Sequence, residues 1–393
     1  MLRESLGVSV GWLAISMVAD GVPALLLPHR LLTDGGADAT RLGLITLVAI
    51  GVAALLQPAA GWVSDRVGRF GVIAAGTAMA VAGLVLLLAP DGAVPGTVIA
   101  LGGVSVAQAG QQALLPDRIG PRWRGRAGGL KNAFDVAGAF GGFVVLAALL
   151  GAGHAALATG ALAVVLIIGA ALTRVLVRSE GSPDALREGT PERVDAVRLA
   201  RLVAARFLFL LGIYAVGRFL LLFVAERFEL GADAAGGEAG MVLALLAIVT
   251  VAASVPSGWL ADRVGRRPLM LAGGGIGAIG IGLLPTAGSL ETVLGFGALM
   301  AVGSAAFGSA SWAMLADLTR SAHAGRLMGL ANLGTAGAAA AAGLFGFVVD
   351  GAGFGPAFAL AALASLAGGA LSWTLGADAR PAVRLIGSTE GAH

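Results

Sequence analysis

Among the charged side chains inside long apolar stretches, where a charge has to be paired or put to use, Asp20 is the clearest, and Arg218 stands at a matching position in a later stretch. In the middle of a bilayer-spanning helix a charged residue costs about 2.5–3.5 kcal/mol on insertion scales. Asp20 stands about 14 residues, ~21 Å of helical rise, into the first apolar stretch, which carries it past the midplane. A carboxyl at that depth is a candidate proton acceptor or cation contact. With Arg218 it has three open arrangements: a pair closing the outer side of a cavity, two groups facing one substrate, or a structural bridge.

Other polar residues recur at helical spacing. Ser16 lies one turn before Asp20, and Tyr214 one turn before Arg218. Ser105, Gln108 and Gln112 share a face with Gln111 beside them, and Ser304, Gly308, Ser311 and Trp312 form a comparable face further on. Ser16, Gln108, Gln111, Gln112, Tyr214, Ser311 and Trp312 are the candidate polar contacts, and a cavity that they lined would suit a polar or amphipathic organic molecule. For each glutamine alone, hydrogen bonding between helices is at least as good an account. Lys131 and Asp135 are four residues apart. The favoured reading is an internal salt bridge that hides its own charge, with a cytoplasmic gate as the alternative.

Composition removes most other chemistry. The 393 residues are 57% hydrophobic and 12% charged, with a mean hydropathy of +0.89, so a soluble enzyme could not cover its surface. Cysteine is absent, which excludes disulfides, Cys-based zinc sites and thiol nucleophiles. His29, His154, His323 and His393 are scattered, so no metal site is expected. The glycine runs Gly273 to Gly277 and Gly138 to Gly142 follow no strand, and no Gly-Lys-Ser/Thr sequence exists, so no nucleotide cofactor is expected. Small residues here are packing surfaces between helices.

The elements that must position these groups are twelve apolar stretches, near 6–28, 42–62, 71–89, 95–115, 128–150, 155–177, 203–225, 239–258, 269–286, 290–314, 327–349 and 355–376. The first runs from Arg3 to about Leu27, long enough to span and to stay attached where a signal peptide would be cleaved. Arg30, Arg41 and Arg227 fall in the expected outer connections, while most other Lys and Arg residues fall at the termini and in the alternate connections. The positive-inside rule then puts both termini in the cytoplasm, in the inner membrane. It also explains the pI near 10.4 without nucleic acid, since the basic clusters follow topology. The expected organisation is a six-helix bundle over 1–177, a cytoplasmic linker over 178–200, a second six-helix bundle over 201–377 and a cytoplasmic tail over 378–393.

Internal similarity is the most specific signal. Gly61-Trp62-Val63-Ser64-Asp65-Arg66-Val67-Gly68-Arg69 recurs as Gly258-Trp259-Leu260-Ala261-Asp262-Arg263-Val264-Gly265-Arg266. In the same register Asp20 falls opposite Gly217, immediately before Arg218. A second repeat pairs Asp117, Gly125-Arg126, Leu130 and Asn132 with Asp317, Gly325-Arg326, Leu330 and Asn332. Two repeats of six helices imply a pseudo-twofold axis along the membrane normal and a site where the halves meet. Gly61 and Gly258 would allow close helix approach, and Gly68 and Gly265 a tight turn.

The doubled G-x-x-x-D-R-x-G-R loop resembles the signature of the major facilitator superfamily, over essentially the whole chain. The resemblance implies an all-α fold of twelve transmembrane helices in two pseudo-symmetric bundles, with helices 1, 4, 7 and 10 lining the cavity. It implies that Gly61, Asp65, Arg66, Gly68 and Arg69, with Gly258, Asp262, Arg263, Gly265 and Arg266, form a cytoplasmic latch that is closed in one access state. Two departures stand out. Gln108 and Gln111 occupy the helix 4 positions where proton-coupled antiporters carry Arg and Gln, and Gly138-Ala139-Phe140-Gly141-Gly142 lacks the Pro of drug antiporters. The expected function is secondary transport of a small organic solute by alternating access, linked to protons. A proton-independent facilitator or exchanger is the alternative, and a non-transporting sensor ranks last. The expected partners are the solute, protons or another ion, and the bilayer, for a monomeric chain.

Overall fold

Helix ends are set by capping and by glycine, and hydropathy marks only their middles. The computed structural model describes residues 2–35, 38–118, 124–177, 195–318 and 334–375. Twelve helices among the described residues are long and apolar enough to cross a membrane: α1 (Arg3–Thr33), α2 (Ala39–Val67), α3 (Arg69–Leu87), α4 (Ala93–Arg118), α5 (Arg124–Gly151), α6 (Ala155–Leu176), α7 (Ala196–Arg227), α8 (Ala232–Val264), α9 (Arg266–Thr286), α10 (Leu290–Leu318), α11 (Gly334–Ala352) and α12 (Phe354–Leu375). No strand occurs among the described residues.

Several helices outrun their apolar cores. The Asp38 side chain accepts from the backbone N–H of Arg41 and starts α2. Asp195 does the same for Arg198 at 2.9 Å, so α7 begins at Ala196, inside the stretch read as linker. Residues 178–194 and 376–393, with Asn332 and the Gly325-Arg326 pair, lie outside the described residues. Gly68 (φ 92°) and Gly265 (φ 101°) take a backbone conformation that only glycine adopts without strain, which turns α2 into α3 and α8 into α9 with no loop. In α1, Pro23 can offer no N–H to the turn before it, and the chain widens to a π turn over Val22–Leu26, directly after Asp20.

Within each half the helices touch through small residues. A Cβ on Gly83 of α3 would lie 2.2 Å from the Ala100 nitrogen of α4, and its counterpart contact joins Gly280 of α9 to Phe296 and Met300 of α10. This is the packing role expected of the glycines.

The end of the molecule that carries the Gly68 and Gly265 turns is here termed the basic end, and the opposite end the far end. At the far end the halves merge. A Cβ on Gly43 of α2 would meet the Gly343 carbonyl oxygen of α11 at 2.0 Å, and Gly240 of α8 abuts Ala147 of α5. One apolar core, from Val22 and Leu25 through Leu221 to Leu246, runs across both halves there. Toward the basic end the cores are separate: Leu199, Phe209, Met270 and Phe307 belong to the second half alone, and Val8, Ile73, Leu114 and Val177 to the first. Among the described residues, one core joins the halves at the far end, and the buried clusters toward the basic end each belong to one half.

Candidate substrate cleft and its gates

On α1 the residues Trp12, Ser16 and Asp20 recur every four positions and form one stripe. It faces α5, where Lys131 Nζ lies 2.8 Å from Asp135 Oδ2 and 3.6 Å from the centre of the Trp12 ring. The Ser16 hydroxyl donates to Asp135 Oδ1. The internal salt bridge expected of Lys131 and Asp135 is thus formed, and it is tied to α1 as well.

Asp20 is exposed although it sits within a largely buried helix. The carboxylate is within electrostatic reach of Asp135 and of Arg218, and makes no ion pair among the described residues. Its charged neighbours thus belong to both halves, Asp135 to the first and Arg218 to the second.

The opposite wall belongs to α7, where Arg206, Leu210, Tyr214 and Arg218 again repeat every four residues. Arg218 is 5% exposed. Its Nη2 donates to the Ala339 carbonyl of α11 at 3.2 Å, within its own half, and its Nε and Nη1 find no acceptor among the described residues. Asp20 and Arg218 thus stand on opposite halves within electrostatic reach of each other and form no ion pair among the described residues. Arg206 is equally buried, donates to Ser311 Oγ at 2.6 Å and lies 4.3 Å over the Trp312 ring, which is 46% exposed. Its Nε is also without a partner among the described residues.

Two expected cavity residues are elsewhere. Gln111 is 1% exposed, and its Nε2 donates to the Val8 carbonyl of α1 at 2.6 Å and to Thr173 Oγ1 of α6 at 3.4 Å. The absent side chain of Gly11 leaves room for the amide, which joins helices inside the first half and does not reach the cleft. Ser311 is fully buried beneath Arg206, its hydroxyl donating in turn to the Gly308 carbonyl. Gln108 and Gln112 are half-buried with no hydrogen bond among the described residues, and Tyr214 is half-buried on the α7 stripe. The residue that sequence reading left without a role is Arg206. Its signal was present, since it falls in register with Tyr214 and Arg218.

At the basic end the first motif copy is held by Arg69. The guanidinium pairs with Asp65, donates from Nε to Asp117 Oδ2 of α4 at 2.8 Å and from Nη1 to Ser64 Oγ at 3.2 Å. Arg66 lies 3.4 Å over Trp62 and Arg263 3.6 Å over Trp259, so the two copies repeat the same stack. Arg266 donates to the Ala313 carbonyl at 3.2 Å, while Asp262 makes no ion pair among the described residues. Each of these contacts stays within one half. The close helix approach expected at Gly61 and Gly258 is absent among the described residues, where nothing lies within 4 Å of a Cβ built at either.

The far end carries polar contacts between halves that the sequence did not announce. His29 Nε2 of α1 is 2.9 Å from Asp233 Oδ1 of α8. Asp350 of α11 accepts from the backbone nitrogens of Ala39 (3.1 Å) and Thr40 (2.7 Å), capping α2 from the other half. Charged residues at helix ends look merely solvated in one sequence, which is why these three carried no signal. Among the described residues no group of His and acidic side chains could hold a metal.

Twelve membrane-length helices in two packed halves that share one apolar core at the far end define a multi-pass membrane protein of the helical-bundle class. The Major Facilitator Superfamily model matches residues 11–237 and again 202–392, and the chain belongs to that superfamily. The second match begins inside α7, so the model itself repeats along the chain as the motif does. No curated protein sequence gives a significant match.

Proposed function

We propose that the chain is a secondary active transporter that moves a small organic solute across the cytoplasmic membrane by alternating access, with transport linked to protons. The observation that supports this reading is the placement of two ionic groups within the membrane-length helices: Asp20 on α1 and Arg218 on α7 stand on opposite halves within electrostatic reach, with no ion pair among the described residues, in a molecule whose halves share one apolar core at the far end. Residues 1–177 and 201–377 act as the two rocking units, and the basic end is cytoplasmic, together with both termini. Asp20 is the proton-binding group, and its protonation changes its attraction to Arg218 and so biases which end opens. The loops of Asp65 to Arg69 and Asp262 to Arg266 latch the cytoplasmic end in the other access state. The Lys131–Asp135 pair fixes α5 against α1 within its half.

A second reading, proton-independent facilitation or exchange, is favoured by Gln108, which stands where related proton antiporters carry an arginine. Proteoliposomes containing an internal pH dye separate the two. Solute flux should be accompanied by a pH change, and both should fall together in Asp20→Asn and Arg218→Gln. Flux with no pH change, untouched by Asp20→Asn, would leave the facilitator standing and remove proton linkage.

A further inference from the structure

We infer that the solute is an organic carboxylate, taken up by the guanidinium of Arg218 while Asp20 holds the accompanying proton; this rests on the transport reading above. The described charged groups around the cleft are Asp20 on α1, Lys131 and Asp135 on α5, and Arg206 and Arg218 on α7, with Tyr214 between the two arginines. Lys131 and Asp135 neutralise each other at 2.8 Å. What remains is one carboxylate against two guanidinium groups, and the cleft has an excess of positive charge.

The geometry is more specific than the charge count. A buried donor on a charged group is costly to leave unmade. Arg218 is 5% exposed and leaves two of its three nitrogens without an acceptor, while Asp20, the one free carboxylate within reach, does not close on it. Beside it Gly217 leaves open space, with nothing within 4 Å of a built Cβ. An arginine with two buried donors left unmet among the described residues is suited to a carboxylate oxygen. An ammonium group would instead be repelled by both arginines and would leave those donors unmet.

The proton follows from the same placement. An incoming carboxylate shares the Arg218 field with Asp20 and is repelled by Asp20 when that group is ionised. Addition of one proton to the Asp20 carboxylate gives the neutral acid and removes the repulsion. Solute and proton therefore favour each other's binding, and by linkage the effect is reciprocal. One anion and one proton enter together, leaving the charge of the cleft unchanged.

The test uses the purified full-length chain and three matched probe series: carboxylates from acetate to hexanoate with benzoate, the corresponding amides, and the corresponding amines. The unfolding midpoint should rise with members of the carboxylate series alone. In weakly buffered solution their addition should draw protons from the medium, and Asp20→Asn should abolish that uptake. Arg218→Gln should weaken carboxylate binding about ten- to hundredfold, the scale of a charge-assisted hydrogen bond. Arg218→Lys keeps the charge and should retain part of the effect, which covers failure of the glutamine variant to fold. Stabilisation by amides or amines equal to that by carboxylates, no stabilisation by any carboxylate, or an undiminished effect in Arg218→Gln would each overturn the inference. Carboxylate flux in proteoliposomes without a pH change would instead overturn proton linkage and leave the carboxylate assignment standing, whereas proton-linked flux of an amine would do the reverse.

Discussion

Gln111 and Gln112 are neighbours in sequence and point to different places in the fold: one is sealed between α4, α1 and α6, the other half-buried with no bond among the described residues. Removal of the first should cost stability and spare recognition. Gln111→Ala should lower stability by about 0.6–1.7 kcal/mol, the range for hydrogen bonds between membrane helices, and leave the KM for solute unchanged. A thermal unfolding series beside a flux titration checks both. The two Gln residues also show what one sequence withholds at this scale. Which amides are polar and which helix bears them is legible, but the way a side chain faces depends on neighbours such as Gly11, whose missing side chain makes the room. Ionic residues were easier, because Asp20, Arg218, Lys131 and Asp135 stand out against an apolar background. Arg206 stood out equally and needed only its register with Tyr214 to be included.

For the helices, the apolar middles were legible because a bilayer requires about 20 of them in succession. Their ends were not, because α2 and α7 start at an aspartate cap and α2 and α8 stop at a glycine with positive φ. Closure at the far end rests on α2 meeting α11 and α5 meeting α8 through glycine. A side chain at Gly43, aimed at the Gly343 carbonyl, must part the first pair. Gly43→Leu should therefore hold the far end open. The chain has no cysteine, so a single Gly217→Cys placed in the open space beside Arg218 gives a clean reporter. A membrane-impermeant maleimide should reach it from the basic end alone in the otherwise native chain, and from the far end once Gly43→Leu is added. Labelling from the basic end only, in both, would show that this glycine contact does not govern closure.

At the scale of the whole molecule, the conformation observed depends on a small set of bonds between halves, all at the far end among the described residues: His29 to Asp233, and Asp350 to the first nitrogens of α2. A helix cap contributes about 0.5–2 kcal/mol, so Asp350→Ala should shift the balance between far-end closed and far-end open about two- to thirtyfold toward the open state. Gly217→Cys labelling rates from the two sides read that ratio directly. The opposite perturbation is stronger. In the double variant Thr40→Cys with Asp350→Cys, oxidation should tie α2 to α11 across the seal, since the native carboxylate already reaches the Thr40 nitrogen at 2.7 Å. If the halves rock about the cleft, the tied molecule should lose flux in proteoliposomes, while a solute added at the basic end still raises its unfolding midpoint. Dithiothreitol should restore flux to the level of the reduced sample. Flux that persists with the bond formed would mean that the far end need not open, and that the cleft between Asp20 and Arg218 is not reached from both sides in turn.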